Sequence, residues 1–500
     1  MTADADPSAP AADADPFNRR RATAGLVLGP AIFALLLAAP MPGVSVEAHR
    51  LASVLGLVIV FWITEAVPLA ITALAGPVLA ILLQVAPARQ VFSPFADPII
   101  FLFMGSFMLA EAMYVHGLDR RMAFKALSVG WVGRSPARVV VMFGAVSTGL
   151  SMWLSNTATT AMLFPIAVSI IGQARGATGG FALALMLITA FGASVGGMAT
   201  PVGTPPNLIG IALLERATTV RISFAGWMLI GVPLSVITFA FMALYFRGVC
   251  RRGGGAALAG ASLAAEEVRK MGPLSRGQRN VIAAFGLTVL LWVAPGAITL
   301  AGAGEGWLAR NFSASVPEAA AAMIGALLLF VLPVDWRARR FTLTWQQAVA
   351  IDWGIILLFG GGLSLGSLTF STGLAEAIGR GVLAWTPAHT TLVLTAVFTG
   401  LSILLTETAS NTAAATMVVP VAIAVAQAAG ASPVQPALGA TLGASMAFML
   451  PVSTPPNAIV YSSGRVPITA MIRHGVAIDL FGFAAVVTLV MALGDLVAGQ

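Results

Sequence analysis

The chain has 500 residues, of which 58% are hydrophobic and 9% charged, with a mean hydropathy of +0.92, where soluble globular proteins carry about 25% charged residues. That composition excludes a soluble enzyme, and at roughly 20 apolar residues per spanning helix the length allows at most about a dozen spans and little else. The formal charge of +7 lies in short basic clusters between apolar runs, a pattern of membrane topology rather than of nucleic-acid binding.

In chain order, residues 1 to 18, rich in Ala, Asp and Pro, read as a disordered tail and not a signal peptide, because no basic n-region precedes the first apolar run. Apolar runs at about 23 to 42, 51 to 69, 71 to 87 and 98 to 116 predict four ordinary spans, with Arg19, Arg20 and Arg21 holding the N-terminus in the cytoplasm. Segments 138 to 154 and 157 to 174 are interrupted by Ser155-Asn156-Thr157 and flanked by Arg134, Arg138 and Arg175. Basic flanks on both outer ends predict a hairpin that enters and leaves on one side. A span at 181 to 213, broken by prolines, and one at 223 to 246 follow, then a basic, Gly-rich loop from 247 to 279. The second half predicts spans at about 281 to 302, 318 to 334 and 351 to 370, a second interrupted pair at 390 to 405 and 412 to 429, a broken span at 436 to 461 and a last span at 476 to 497.

These elements make an all-α polytopic membrane protein of about eleven transmembrane helices plus two re-entrant helical hairpins, with the C-terminus outside. The threading puts 21 of the 27 Lys and Arg on the cytoplasmic side, leaving Arg50, Arg89, Arg216, Arg221, Arg310 and Arg380 outside. The halves also repeat. Ser155-Asn156-Thr157-Ala158 with Pro165 matches Ser410-Asn411-Thr412-Ala413 with Pro420 at an offset of 255 residues. Pro201-Val202-Gly203-Thr204-Pro205-Pro206-Asn207 matches Pro451-Val452-Ser453-Thr454-Pro455-Pro456-Asn457 at an offset of 250. An odd number of spanning units separates the copies, so the second is inverted. Inverted repeats with paired helix interruptions point to a secondary-transporter site near the bilayer midplane.

The chemistry of the interruptions suits ions. Ser, Asn and Thr are strong N-cap residues, so each tip ends one half-helix and starts another, exposing N–H groups that attract anions. Carbonyls closing the first half-helix, near Leu154 and Leu405, carry the opposite partial charge and suit a hard cation. The paired prolines remove donors and force extended backbone before them, leaving Thr204 and Thr454 hydroxyls at the breaks. Glu407, three residues before Ser410, is expected to buttress the second tip through backbone hydrogen bonds rather than to ligate a cation. Glu65, Glu111, Asp352 and Asp479 fall near span ends, where interfacial and functional roles are equally open. One cysteine, Cys250, and four scattered histidines give no thiolate cluster or local metal site. No acid, base or nucleophile cluster supports a membrane enzyme.

The paired Ser-Asn-Thr motifs, the Thr-Pro-Pro-Asn segments and Trp62-Ile63-Thr64-Glu65-Ala66-Val67-Pro68 together resemble the divalent anion/sodium symporter family, from about residue 22 to the end. The resemblance implies a homodimer in the plasma membrane, the inner membrane of a bacterium, each protomer moving a transport domain against a scaffold as an elevator. Its boundaries are a cytoplasmic tail at 1–22, first scaffold spans at 23–116, transport elements at 117–221 and scaffold spans with the cytoplasmic loop at 222–350. Transport elements at 351–475 and a last span at 476–500 complete it. It also implies a first sodium site at Ser151, Ser155, Asn156 and the backbone near Gly203, and a second at Thr406, Ala409, Asn411 and the backbone near Ser453. Substrate carboxylates would meet Asn156, Thr157, Thr204, Asn411, Thr412, Thr454 and Pro455. Thr204 stands where a serine is common in the family. The function so implied is sodium-coupled symport of a small di- or tricarboxylate, with Na+ as the co-transported ion and no organic cofactor. The competing readings are a sodium-independent dicarboxylate exchanger, a sulfate/sodium symporter and an anion channel.

Overall fold

The structure is a computed structural model, and it describes residues 16–132, 135–173, 179–251, 260–298, 316–385 and 390–498. Most of the expected tail, and the basic flanks Arg134 and Arg175, lie outside the described residues. The first repeat opens with α1 (Pro16–Ala38), α2 (Val46–Thr64) and α3 (Leu69–Leu82), then a short α4 (Ala88–Phe92), a 3-10 turn and α5 (Pro98–Val115). After the connector α6 (Leu118–Leu127), the first hairpin is α7 (Pro136–Ser151) and α8 (Asn156–Gln173). The broken span is α9 (Gly179–Gly197) and α10 (Pro205–Ala217), and α11 (Phe224–Arg251) closes the repeat.

The second half runs through α12 (Gly260–Met271), α13 (Arg276–Ile298), α14 (Glu318–Val331), a two-stranded hairpin of β1 (Pro333–Asp335) and β2 (Arg340–Phe341), α15 (Trp345–Ala348), α16 (Trp353–Ser371) and α17 (Leu374–Trp385). Then come the second hairpin, α18 (Thr391–Thr406) and α19 (Asn411–Ala428), the broken span, α20 (Val434–Gly443) and α21 (Pro455–Tyr461), and α22 (Ile468–Ala498). Among the described residues, nine helices are long and apolar enough to cross a membrane, and shorter apolar helices supply α3, α7, α8, α14 and α18. Each of the eleven expected spans has its helix or broken helix here.

The repeat extends well past the two motifs. Asp97 and Asp352 cap α5 and α16 through Ile99 N and Ile355 N, and each carboxylate also favours the positive helix end. Both helices end at a glycine with positive φ, Gly117 at 60° and Gly373 at 80°, before the connectors α6 and α17. Only glycine takes that conformation without a Cβ penalty. Ser135 and Thr390 cap the first hairpin arms by accepting from Arg138 N and Val393 N.

Several boundaries differ from the sequence reading. The span expected at 71 to 87 stops at Leu82, because Gln84 turns left-handed (φ 58°) and Pro87 favours extended backbone before it. The span expected at 318 to 334 ends at Val331, where Leu332 is extended and leads into β1. The connectors α6, α12 and α17 and the β-hairpin carry no long apolar run, so hydropathy did not mark them.

The two repeats interlock. Helix α3 packs on α16 and α5 on α14, so each repeat's early spans are completed by the other. Glycine permits the approach: a Cβ at Gly105 of α5 would stand 2.7 Å from the Ala322 backbone of α14, and one at Gly361 of α16 would collide with the Ala73 carbonyl of α3. In the interior, α8 packs on α21 and α19 on α10, so each hairpin meets the other repeat's broken span.

Candidate functional site

Each hairpin turns at its Ser-Asn-Thr, and the turn is built alike in both copies. Helix α7 ends at Ser151 and α8 starts at Asn156. The Ser151 hydroxyl, fully buried, donates to Asn156 Oδ1 at 2.7 Å. In the second hairpin the Thr406 hydroxyl donates to Asn411 Oδ1 at the same 2.7 Å and is also within 2.7 Å of the Ala444 carbonyl. A hydroxyl has one proton and two lone pairs, so each hydroxyl keeps acceptor capacity beside the amide oxygen it donates to. The capping expectation holds at the first tip, where Ser155 Oγ accepts from Ala158 N at 3.1 Å. Ser410 occupies the N-cap position but makes no side-chain cap bond. The Leu405 carbonyl accepts from the amides of Thr408 and Ala409, as the Leu150 carbonyl of the first hairpin does from Trp153 and Leu154.

The broken spans bring extended backbone against these tips. Thr204 and Thr454 have nearly identical dihedrals, φ −148° with ψ 144° and φ −145° with ψ 148°, each just before a Pro-Pro helix start. Asn207 then donates both amide protons backwards, to the Gly197 and Thr200 carbonyls at 2.9 and 2.8 Å. Asn457 does the same to the Ala447 and Leu450 carbonyls, both at 3.0 Å. Both asparagines belong to the repeated Thr-Pro-Pro-Asn segments, and their equal spacing to the prolines is the sequence signal for this clamp. Gly197 was missed. A Cβ there would stand 2.5 Å from Asn156 Oδ1, and a Cβ at Gly203 would stand 2.5 Å from the Gly197 carbonyl. Gly203 and Asn156 are thus brought together through Gly197. Thr200 ties the same loop to the first hairpin, its hydroxyl donating to the Met152 carbonyl at 2.5 Å.

Around the second tip, Ser453 Oγ donates to the Leu450 carbonyl at 2.7 Å and lies 3.1 Å from Asn457 Nδ2. Glu407 accepts three backbone N–H groups, from Phe448 at 2.7 Å, Met449 at 2.9 Å and Leu450 at 3.0 Å. The expected buttress exists, but it supports the loop between α20 and α21 rather than its own hairpin.

A cavity of about 1100 Å³ opens beside the first tip on the side of α6 and α12. Ser155, Thr157 and Pro455 line it, so both repeats contribute, and its outer wall carries Glu111, Asp119, Arg120 and Glu267. Burial raises the Asp119 carboxyl above the usual carboxylate range, opposed by its hydrogen bond from the Arg120 backbone. Asn156 and Asn411 are half-buried, whereas Thr204, Thr412 and Thr454 are buried and away from the cavity wall. Ala409 is buried at the turn of the second hairpin.

The charges left open by the sequence now divide. Glu65 pairs with Arg21 at 3.1 Å, Asp352 caps α16, Glu111 lines the cavity, and Asp479 is deeply buried. Arg21 also donates to the Thr408 carbonyl of the second tip at 3.3 Å, a contact between distant parts of the chain that no local pattern signals. No group of three or more His, Cys, Asp or Glu suited to a metal ion is present among the described residues.

Comparison with known proteins gives consistent matches. The family model described as the sodium:sulfate symporter transmembrane region matches residues 20–499. A sodium-dependent dicarboxylate transporter of Staphylococcus saprophyticus is 31% identical over 487 residues, covering 95% of this chain and 92% of that protein. One from Staphylococcus aureus (strain USA300) is 32% identical over 492 residues, with the same coverage. In architecture, the chain is similar to the YdaH transporter of Alcanivorax borkumensis (TM-score 0.54, 13% identity, 95% of this chain and 96% of that one). It is also similar to MtrF of Neisseria gonorrhoeae (TM-score 0.56, 12% identity, 95% and 97%).

Proposed function

The chain belongs to the sodium:sulfate symporter family, and from that membership we propose that it is a secondary active transporter carrying a small di- or tricarboxylate, of the succinate, malate, fumarate or citrate class, together with sodium. The observation that carries this reading is the pair of hydroxyl–asparagine contacts, Ser151 to Asn156 and Thr406 to Asn411. Each sets neutral oxygens beside a half-helix N-terminus, a combination that serves a cation and an anion together. The first sodium site uses Ser151, Ser155, Asn156 and Gly203, and the second Thr406, Ala409, Asn411 and Ser453. The substrate carboxylates meet Asn156, Thr157, Thr204, Asn411, Thr412, Thr454 and Pro455.

The moving unit is centred on the hairpins and broken spans, at 117–221 and 351–475. Helix α11 packs on α7 and α9, and α22 on α18 and α20, so we place both with that unit rather than with the scaffold. The protein works as a homodimer in the bacterial inner membrane with its N-terminus in the cytoplasm, and the cavity beside α6 and α12 is its cytoplasmic mouth. The test is uptake of labelled succinate into proteoliposomes with and without an inward sodium gradient, with malate, citrate and sulfate as competitors. Uptake that follows the sodium gradient supports the reading. Uptake indifferent to sodium but driven by internal dicarboxylate overturns it in favour of exchange.

A further inference from the structure

The repeat that builds the two tips fails at one place, and the failure concerns charge. At the 255-residue offset, Glu407 stands opposite Met152. The closing helices α11 and α22 begin at Phe224 and Ile468, an offset of 244 residues, which sets Asp479 opposite Ser235 and Gly475 opposite Gly231. The glycines confirm the register: a Cβ at Gly231 would collide with the carbonyls of Met198 and Ala199, and one at Gly475 with the Phe448 carbonyl. Both lie on the loop that interrupts the broken span. The first repeat therefore has a methionine and a serine where the second has two carboxyl groups.

The neutral pair is satisfied. Ser235 Oγ donates to the Val195 carbonyl at 2.7 Å. The acidic pair is not. Asp479 is 4% exposed, and beyond the Glu407 carboxyl and the Phe448 amide, which Glu407 already holds, its carboxyl oxygens have no hydrogen-bond partner. It faces Glu407, itself 4% exposed. Glu407 has its charge met by the amides of Phe448, Met449 and Leu450, whereas Asp479 has only a share of the Phe448 amide and the like-charged Glu407 beside it. Among the described residues neither carboxyl belongs to an ion pair. The titratable group on the preceding turn is turned elsewhere, His474 to the Tyr245 hydroxyl at 2.8 Å. On the same loop, the Ser445 hydroxyl is fully buried and also without a partner. Buried charges in proteins are paired or coordinate metals, and intramembrane carboxylates mark ion pathways.

We propose that Asp479, with Glu407 and the 445–450 loop beside it, binds one sodium ion in addition to the two at the hairpin tips. The three amides offset Glu407 alone, so two facing carboxyl groups call for one monovalent cation between them, and the available donors are all oxygen, which suits a hard one. The site exists in the second repeat alone, and Glu407 links it to the loop carrying Ser453. An ion there is sensed where the second tip closes. This inference rests on the sodium-coupled reading above.

The test uses the purified protein in proteoliposomes and measures the sodium-to-succinate coupling ratio from the reversal potential, with the sodium Hill coefficient. Wild type and two variants are compared: Asp479→Asn, nearly isosteric, and Asp479→Ser, which installs the residue of the first repeat. The expected result is three sodium ions per dianion for wild type, with uptake accelerated by an inside-negative potential, and two per dianion for both variants, with the acceleration lost. An unchanged ratio in the variants overturns the proposal. So does a variant whose response to pH changes while its sodium ratio does not, since the occupant is then a proton. Where neither variant inserts, the wild-type ratio decides, with two overturning the proposal and three supporting it. Wild-type uptake that ignores sodium altogether refutes the transport reading instead.

Discussion

Asn156 and Asn411 each already spend their side-chain carbonyl on a hydroxyl, of Ser151 and of Thr406, and in the proposed mechanism the same amide serves a cation and the substrate. Replacing either with alanine removes a buried hydrogen bond, at roughly 1 to 3 kcal/mol per lost bond, and deletes an oxygen from the proposed ligand set. Sodium-dependent succinate affinity is expected to fall by about five- to 150-fold in Asn156→Ala and in Asn411→Ala, since about 1.4 kcal/mol is tenfold. Equilibrium binding in detergent measures this, and wild-type affinity in either variant would remove that residue from the site. Gly197 makes a sharper test, because it offers no ligand of its own and matters only through space. Its added Cβ in Gly197→Ala meets Asn156 Oδ1 at 2.5 Å, far inside contact distance. We expect this single methyl to weaken sodium binding at the first tip as much as loss of the asparagine does, while Gly149→Ala, which meets nothing within 4 Å, leaves binding unchanged.

Among the elements, the hairpins were the most legible in sequence, because a polar triplet interrupts two apolar runs, with basic flanks at the first. Their termini agree with the sequence reading to within a few residues. The half-helix α20 was harder: it stops at Gly443, after which the chain runs without regular helix to Thr454, and the apolar residues there, Met446 to Leu450, read as continued span. What holds that segment is Glu407, reaching across 41 to 43 positions. No local pattern records such a contact. The same applies to Arg21 at the second tip and to the amide clamps of Asn207 and Asn457, whose partners are backbone carbonyls and leave no mark on composition. The inverted arrangement has its own test. Cysteines placed at the exposed Ala158 and Thr408 beside the two tips, in a Cys250→Ala background, should react with an impermeant thiol reagent from opposite faces across the transport cycle. Reaction of both from one face alone would contradict inversion.

For the whole molecule, the absence of Lys and Arg from all four motif segments decides the energetics of substrate entry. Helix-end charges of about half a unit do not neutralise a dianion. Carrying one inward against 100 mV, inside negative, costs roughly 4.6 kcal/mol, at about 2.3 kcal/mol per charge, unless cations travel with it. Sodium is therefore expected to raise succinate affinity in detergent, with a Hill coefficient above one in uptake. Tight binding in sodium-free buffer, unchanged on adding sodium, would defeat this. The interlocking of α3 with α16 and of α5 with α14 bears on how such a chain is made. The ribosome releases α3 and α5 long before their partners exist, so the first repeat must wait in the bilayer with glycine-lined faces, at Gly76 and Gly105, uncovered. Assembly of the protein is thus a late event, completed when the second repeat threads in and displaces whatever lipid or insertion factor was holding those faces. If the gene is cut between α11 and α12, neither product should transport alone, and co-production in one cell should restore uptake. A nascent chain stalled before α16 should remain sensitive to protease where the finished protein resists it.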